Sequence, residues 1–218
     1  TAESYADRRY HMSYIGDWKD YFKNRDFVHQ IGFYSPDWKH FALKHHELFG
    51  SGPFYYTTNT FGRLIYRGKE VDAGSLKFHA AYGAWGSHTV EVVQQEPLDT
   101  PTMFTDGNDL TCAGINHIHM FVEDLAEARH ACEVLDIPVV TIGYPDRKNA
   151  LEKVKATGTD PELILESADK PSFMVVDMRR DLGMMVQLIT PRASQIHNLL
   201  INARKGWDGY TDLFRKLG

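Results

Sequence analysis

Cysteine is nearly absent from this chain. Cys112 and Cys132 are the two in 218 residues, too few for a disulfide framework and too widely spaced for a CxxC motif. The simplest reading is two reduced thiols in a cytoplasmic protein. Apolar runs are short throughout, and none approaches the roughly 18 residues of a membrane helix, so no membrane partner is expected. Thr1 to Arg25 is polar and aromatic and shows no signal-peptide core. An excess of positive charge is lacking as well: 24 Lys and Arg stand against 29 Asp and Glu, which argues against nucleic acid as a partner. What remains is 43% hydrophobic and 24% charged, the composition of a globular protein with a well-buried core.

The most informative feature present is an internal repeat. Phe27-Val28-His29-Gln30-Ile31-Gly32-Phe33 runs through Ser35-Pro36-Asp37 into a helical stretch, and Ile115-Asn116-His117-Ile118-His119-Met120-Phe121 runs through Glu123-Asp124 into another. Each copy closes on an apolar strand with one oxygen-bearing side chain, Thr89-Val90-Glu91-Val92-Val93 and Met185-Val186-Gln187-Leu188-Ile189. His117 follows His29 by 88 residues and Gln187 follows Glu91 by 96, the near-constant offset that a duplication leaves. Burying Glu91 or Gln187 among apolar neighbours is costly unless they are paired or coordinate a metal. Two histidines, a carboxylate and an amide on four strands make an N2O2 set that suits one divalent ion, Zn, Ni, Co, Mn or Fe. His119, two residues beyond His117 and so on the same strand face, is the reserve ligand.

The pattern divides the chain into residues 1–26, an N-terminal helical extension; 27–95, a first module; 96–113, a turn-rich linker; 114–191, a second module with an insertion at 145–171; and 192–218, C-terminal helices. In the first module Ser35 is the expected N-cap with Pro36 opening the helix. Trp38, Phe41, Ala42, His45, Leu48 and Phe49 form one helix face, and Gly50 is the stop. The pair His45-His46 reads as an exposed helix face. Strands are expected in 53–60, near 63–67, and in 76–82 and 88–95. In the second module Asp124 caps a helix with Glu127 three residues on, and Leu125, Ala128, Ala131, Cys132 and Leu135 face the core. Strands follow in 139–144, 173–178 and 184–190. A helix from about 193 to 204 and a short one near 210–217 are expected to pack as a lid.

These residues resemble the vicinal oxygen chelate superfamily across nearly all of 27–190. The resemblance is carried by His29-Gln30-Ile31 with Pro36-Asp37, Gly50-Ser51-Gly52-Pro53-Phe54, Val90-Glu91-Val92-Val93-Gln94-Gln95, Gly114-Ile115-Asn116-His117, Val122-Glu123-Asp124, and Gly183 leading to Gln187. The glyoxalase-like and methylmalonyl-CoA epimerase-like branches are the most similar. The resemblance implies an α+β fold of two tandem βαβββ modules forming a curved mixed-sheet cup around one divalent metal held by His29, Glu91, His117 and Gln187. It also implies a homodimer. Those branches normally offer Glu where this chain has Gln187, and an amide cannot act as a general base.

Three functions remain open. The first is a metal-dependent, glyoxalase-like isomerase or lyase acting on a small oxygen-chelating substrate, with Glu91 as ligand and base and His79 as a second proton-transfer group. The second is non-haem Fe(II) dioxygenase chemistry of the extradiol type, for which two His and one carboxylate are the required count. The third is a small-molecule-binding, resistance-type protein. Tyr55, Tyr56 and Trp85 are candidates for shaping the pocket.

Overall fold

The computed structural model describes residues 28–148, 151, 170–190 and 194–217. The expected helix in 1–26 and the insertion core lie outside them. Chain order is β1 (Val28–Tyr34), α1 (Trp38–Phe49), β2 (Phe54–Asn59), β3 (Phe61–Tyr66), β4 (Lys69–Val71), β5 (Lys77–Trp85), β6 (His88–Glu96), β7 (Gly114–Phe121), α2 (Leu125–Val134), β8 (Val139–Pro145), β9 (Phe173–Met178), α3 (Arg179–Leu182), β10 (Met184–Ile189), α4 (Ser194–Arg204) and β11 (Phe214–Lys216).

The described strands form one 11-stranded sheet, ordered β11-β2-β5-β6-β1-β7-β10-β9-β8-β3-β4. Its centre is two copies of one unit set back to back. In β2-β5-β6-β1 the first strand pairs parallel with the last, and β7-β10-β9-β8 repeats that arrangement. The units meet where β1 pairs antiparallel with β7. This is the α+β architecture of paired βαβββ modules.

The first module carries an addition that closes the cup. After β2 the chain passes through Thr60 alone into β3, yet β3 pairs with β8 at the far edge of the second module. Strands so far apart in sheet order can be joined by one residue only if the sheet curls its edges together. The inner surface of that curl holds the largest apolar cluster, including Tyr34, Leu64, Phe78, Val140, Phe173 and Met185. α1 and α2 each cover the outer face of their own module. Ala42 of α1 packs on Phe54, Val90 and Val92, and Leu125, Ala128, Ala131 and Cys132 of α2 pack on Met174, Val176, Val186 and Leu188.

Local rules account for the helix boundaries, with three corrections. Asp124 caps α2 by accepting from the Ala126 and Glu127 amides at 2.6 and 3.0 Å. Gly50 ends α1 in the left-handed region at φ 65°, which favours glycine. The N-cap of α1 is Asp37 rather than Ser35: Asp37 accepts from the His40 amide at 2.9 Å, while Ser35 accepts from the Asp37 amide and shapes the turn before it. The pair His45-His46 is not an exposed face. His45 is buried against Phe33, Phe41 and Trp85 with Nδ1 2.8 Å from Ser51 Oγ; Leu48 and Phe49 are the exposed ones. The expected helix at 210–217 is replaced by β11. Asp208 accepts from the amides of Tyr210 and Thr211 to make a turn, and Phe214 then pairs parallel with Phe54 on β2.

The linker is pinned rather than loose. Arg67, just past β3, donates to Asp106 at 2.6 Å and to Asp177 of β9 at 3.1 Å. Arg179 donates to both oxygens of Asp177 and to the Asp106 carbonyl. The Arg179 hydrogen bonds hold the Asp177 carboxyl down at about 2, against the opposing effect of burial. A carboxyl depressed in the folded state stabilises the fold above its ordinary value near 4, and that contribution fades as pH falls through about 2. Asp177→Asn should therefore lower stability by about 1 kcal/mol at pH 7. The gap between variant and parent in urea unfolding should close between about pH 4 and pH 2. Parallel curves across that range would exclude the network as a stabilising element.

Candidate metal centre

The β1–β7 seam assembles the site. Gly32 of β1 lies between Glu91 of β6 and His117 of β7 in register, while His119 lies opposite Gln187 of β10. Alternation along β7 sends the His117 and His119 side chains to the same inner face. Gly32 makes room for this: a Cβ there would fall 2.2 Å from His117 Cε1 and 2.3 Å from Nε2. The His117 ring thus lies flat on the backbone of its neighbouring strand and is fully buried.

Three side chains converge. His117 Nε2 and His119 Nε2 stand 2.9 Å apart, and Glu91 Oε2 lies 3.3 Å from the first and 3.2 Å from the second. All three residues are buried. Asn116 sets the protonation pattern. Its Nδ2 donates to the Met103 carbonyl at 3.0 Å, so its Oδ1 is turned to His117 Nδ1, 2.9 Å away, and accepts from it. With the proton on Nδ1, the His117 Nε2 lone pair faces the other two groups. His119 Nε2–H supplies one hydrogen for two acceptors, so the His117–Glu91 contact has none to share. A cation among the three atoms satisfies all of them. Donors about 2.1 Å from one ion stand about 3.0–3.4 Å apart in octahedral to tetrahedral geometry, which the triangle's edges match. The group fits a divalent metal, and with no thiolate present it fits the nitrogen- and oxygen-seeking ions.

Electrostatics agree with that fit. Burial works to raise the Glu91 pKa, yet the imidazoles of His117 and His119 against its carboxylate outweigh this and hold it well below the usual range. Burial pushes His117 down, against the pull of Glu91. The Tyr82 hydroxyl is raised well above its ordinary value by burial and by the Glu91 charge beside it, and it accepts from Asn59 Nδ2 at 2.8 Å.

The expected residues distribute as follows. Glu91 and His117 are brought together, and His119, the reserve, completes the triangle. His29 stands outside it, stacked on Phe121 at 4.1 Å between ring centroids and edge-on to His119 at 5.4 Å. Burial, then the neighbouring His119 and His197, push His29 down to about 3. Gln187 is half-buried on the wall of the same cavity. His79 is not at the site. It points away from the inner face that Phe78 and Tyr82 share and instead contacts Thr58 and Glu96 at 3.0 and 3.3 Å. Tyr55, Tyr56 and Trp85 are not among the residues lining the cavity either.

Glu91 and His119 of the triangle line a cavity of about 230 Å³, from which the fully buried His117 is set back. Residues beyond the expected ones reach it. His197 of α4 sits edge-on to His29 at 5.4 Å, with Ile196 and Leu200 beside it on the wall, so α4 is a wall of the site and not only a lid. Met103 and Phe104 of the linker line it too. The apolar spacing of Ile196 and Leu200 was legible as a buried face, but not what it faces.

No family model and no curated protein matches the chain. Solved structures similar to it include methylmalonyl-CoA epimerase from Mycobacterium tuberculosis, at 11% identity and TM-score 0.45 over 75% of this chain and 87% of that one. A variant of the Streptomyces coelicolor epimerase in complex with 2-nitronate-propionyl-CoA gives 11% and 0.45 over 75% and 95%. A hypothetical protein from Bacillus halodurans gives 11% and 0.43 over 75% and 93%. The strand order of this chain is that of the two tandem βαβββ modules expected from the sequence.

Gly32→Ala is the direct test of the seam. The added methyl group must displace a fully buried ring, so the variant should lose about 1–3 kcal/mol in denaturant unfolding. Wild-type stability in that variant would mean that His117 does not lie on Gly32.

Proposed function

We propose that this chain is a metal-dependent enzyme of the vicinal oxygen chelate type, an isomerase or lyase acting on a small substrate with two neighbouring oxygens. The observation that carries the reading is the buried Glu91–His117–His119 triangle at the wall of a largely apolar cavity. These three residues would hold one divalent ion, with His29 and Gln187 as the further candidates on the same wall. A bound ion supplies Lewis acidity that stabilises negative charge developing on the substrate oxygens.

The chain's own groups divide the remaining work. The Asn116–His117 hydrogen bond keeps the His117 Nε2 lone pair aimed at the centre, as outer partners of ligating histidines do. Besides the ligand histidines of the triangle, Glu91, His29 and His197 are wall groups able to accept a proton from carbon next to a carbonyl. Gln187 is limited to ligating or orienting through its amide and cannot take the proton, because an amide has no basic lone pair at neutral pH. The apolar wall excludes water, which strengthens each of these interactions. A second reading, Fe(II)-dependent oxygen chemistry, is favoured by one observation: the converging set is two histidines and one carboxylate.

Asn116→Leu should bind zinc about 10–100-fold more weakly in a competition titration, and His117→Ala should not retain the ion. Unchanged affinity in both would remove the triangle from metal binding. Glu91→Gln should keep part of the metal while losing exchange of a substrate α-proton with deuterated solvent. Retained exchange in that variant would clear Glu91 of the chemistry. Oxygen consumption that depends on added Fe(II) would select the second reading over the first.

A further inference from the structure

The cavity has a second polar point, far from the triangle. Thr141 of β8 is 1% exposed, and its Oγ1 has no hydrogen-bond partner among the described residues. It lines the cavity beside Ser172 and Phe173. A buried hydroxyl left unmatched costs free energy that a valine of the same shape would avoid. Its neighbours on β8 do not explain it, since Val140 and Ile142 are buried apolar side chains. From His119 on β7 to Thr141 on β8 the sheet passes through β10 and β9, three strand intervals or about 14 Å along its curved surface.

The rest of the cavity wall is mainly apolar and aromatic, with Phe61, Phe78, Phe104, Phe173 and Ile189, and Gln187 of β10 is a polar group on it close to the triangle. Among the described lining residues the one with a formal charge at neutral pH is Glu91, and that charge is negative. Such a wall favours an uncharged apolar body and disfavours a second anion beyond the chelating oxygens.

We propose that Thr141 is a specificity-determining residue: the substrate is an elongated, uncharged, mostly apolar molecule whose chelating oxygens lie at the Glu91–His117–His119 end and whose distal hydroxyl or carbonyl is hydrogen-bonded by Thr141 Oγ1. This rests on the reading of the triangle as a metal centre for its orientation, but the Thr141 contact is independent of the ion. Ile196 and Leu200 of α4 add apolar surface to the cavity wall.

Three catechol probes that differ only at the end of a six-carbon tail test it: 4-hexylcatechol, 4-(6-hydroxyhexyl)catechol and 6-(3,4-dihydroxyphenyl)hexanoate. Binding is measured calorimetrically to zinc-loaded and zinc-free protein, wild type and Thr141→Val. In the wild type the hydroxyl tail should bind about tenfold more tightly than the methyl tail, and the carboxylate tail more weakly than the hydroxyl. In Thr141→Val the hydroxyl advantage should vanish while the melting temperature rises by a few degrees, which also shows that the variant folds. A hydroxyl advantage that is missing in the wild type, or that survives in Thr141→Val, overturns the proposal, as does the absence of binding by all three probes. A preferred carboxylate tail overturns the uncharged assignment. Affinities that are indifferent to zinc, with the hydroxyl advantage intact, would instead count against the metal centre and leave the Thr141 contact standing.

Discussion

The antiparallel pairing of β1 with β7 is the constraint on which the rest depends. It joins the two modules back to back, and at its centre the missing side chain of Gly32 lets the His117 ring lie flat between strands. That close approach brings His117 against Glu91 on one side and His119 on the other. Any wider seam would separate Glu91 from the two histidines of β7 and leave a buried carboxylate without neighbours, a costly arrangement.

The segments outside the repeat support the seam from a distance. The Arg67–Asp106–Asp177–Arg179 network fixes the linker against β3 and β9. The same linker presents the Met103 carbonyl that turns Asn116, and Asn116 in turn orients His117. A half-buried ion-pair network is thereby connected through one backbone carbonyl to the tautomer of a fully buried ring. The β2–β3 crossing acts on the other side. By carrying the chain from one sheet edge to the other it encloses the cavity, and Asn59 and Phe61 at the crossing both line it.

Local chemistry made much of the fold legible in the sequence. Apolar spacing located α1 and α2, and Asp124 and Gly50 mark helix ends by side-chain and backbone rules that need no tertiary context. The duplicated offset exposed the two modules. What depended on contacts remote in sequence was not legible. β3 pairs with β8 across some 80 intervening residues, and β11 is a three-residue strand whose Phe214, with Leu213 and Leu217 flanking it, suits a helix or a strand equally. The division among histidines has a specific cause. The register shift between Val28 and Gln30 puts the extra residue, His29, in β1, whereas the shift between Gly32 and Phe33 puts an extra residue, Asn116, in β7; such bulges re-aim side chains. Beyond its own bulge at Asn116, β7 alternates regularly from His117 onward, so His117 and His119 face inward together, while His29 stacks on Phe121 instead of closing the triangle. His79 went astray for the opposite reason: regular alternation on β5 turns it outward when Phe78 and Tyr82 turn inward.

X-ray absorption spectroscopy of the protein loaded with one equivalent of zinc tests the central claim most directly. The account predicts scattering from two imidazole rings and at least one carboxylate oxygen, at about 2.0–2.1 Å, with one imidazole lost in His119→Ala. A bound ion whose spectrum is unchanged in His119→Ala, or a protein that takes up no zinc, would contradict it.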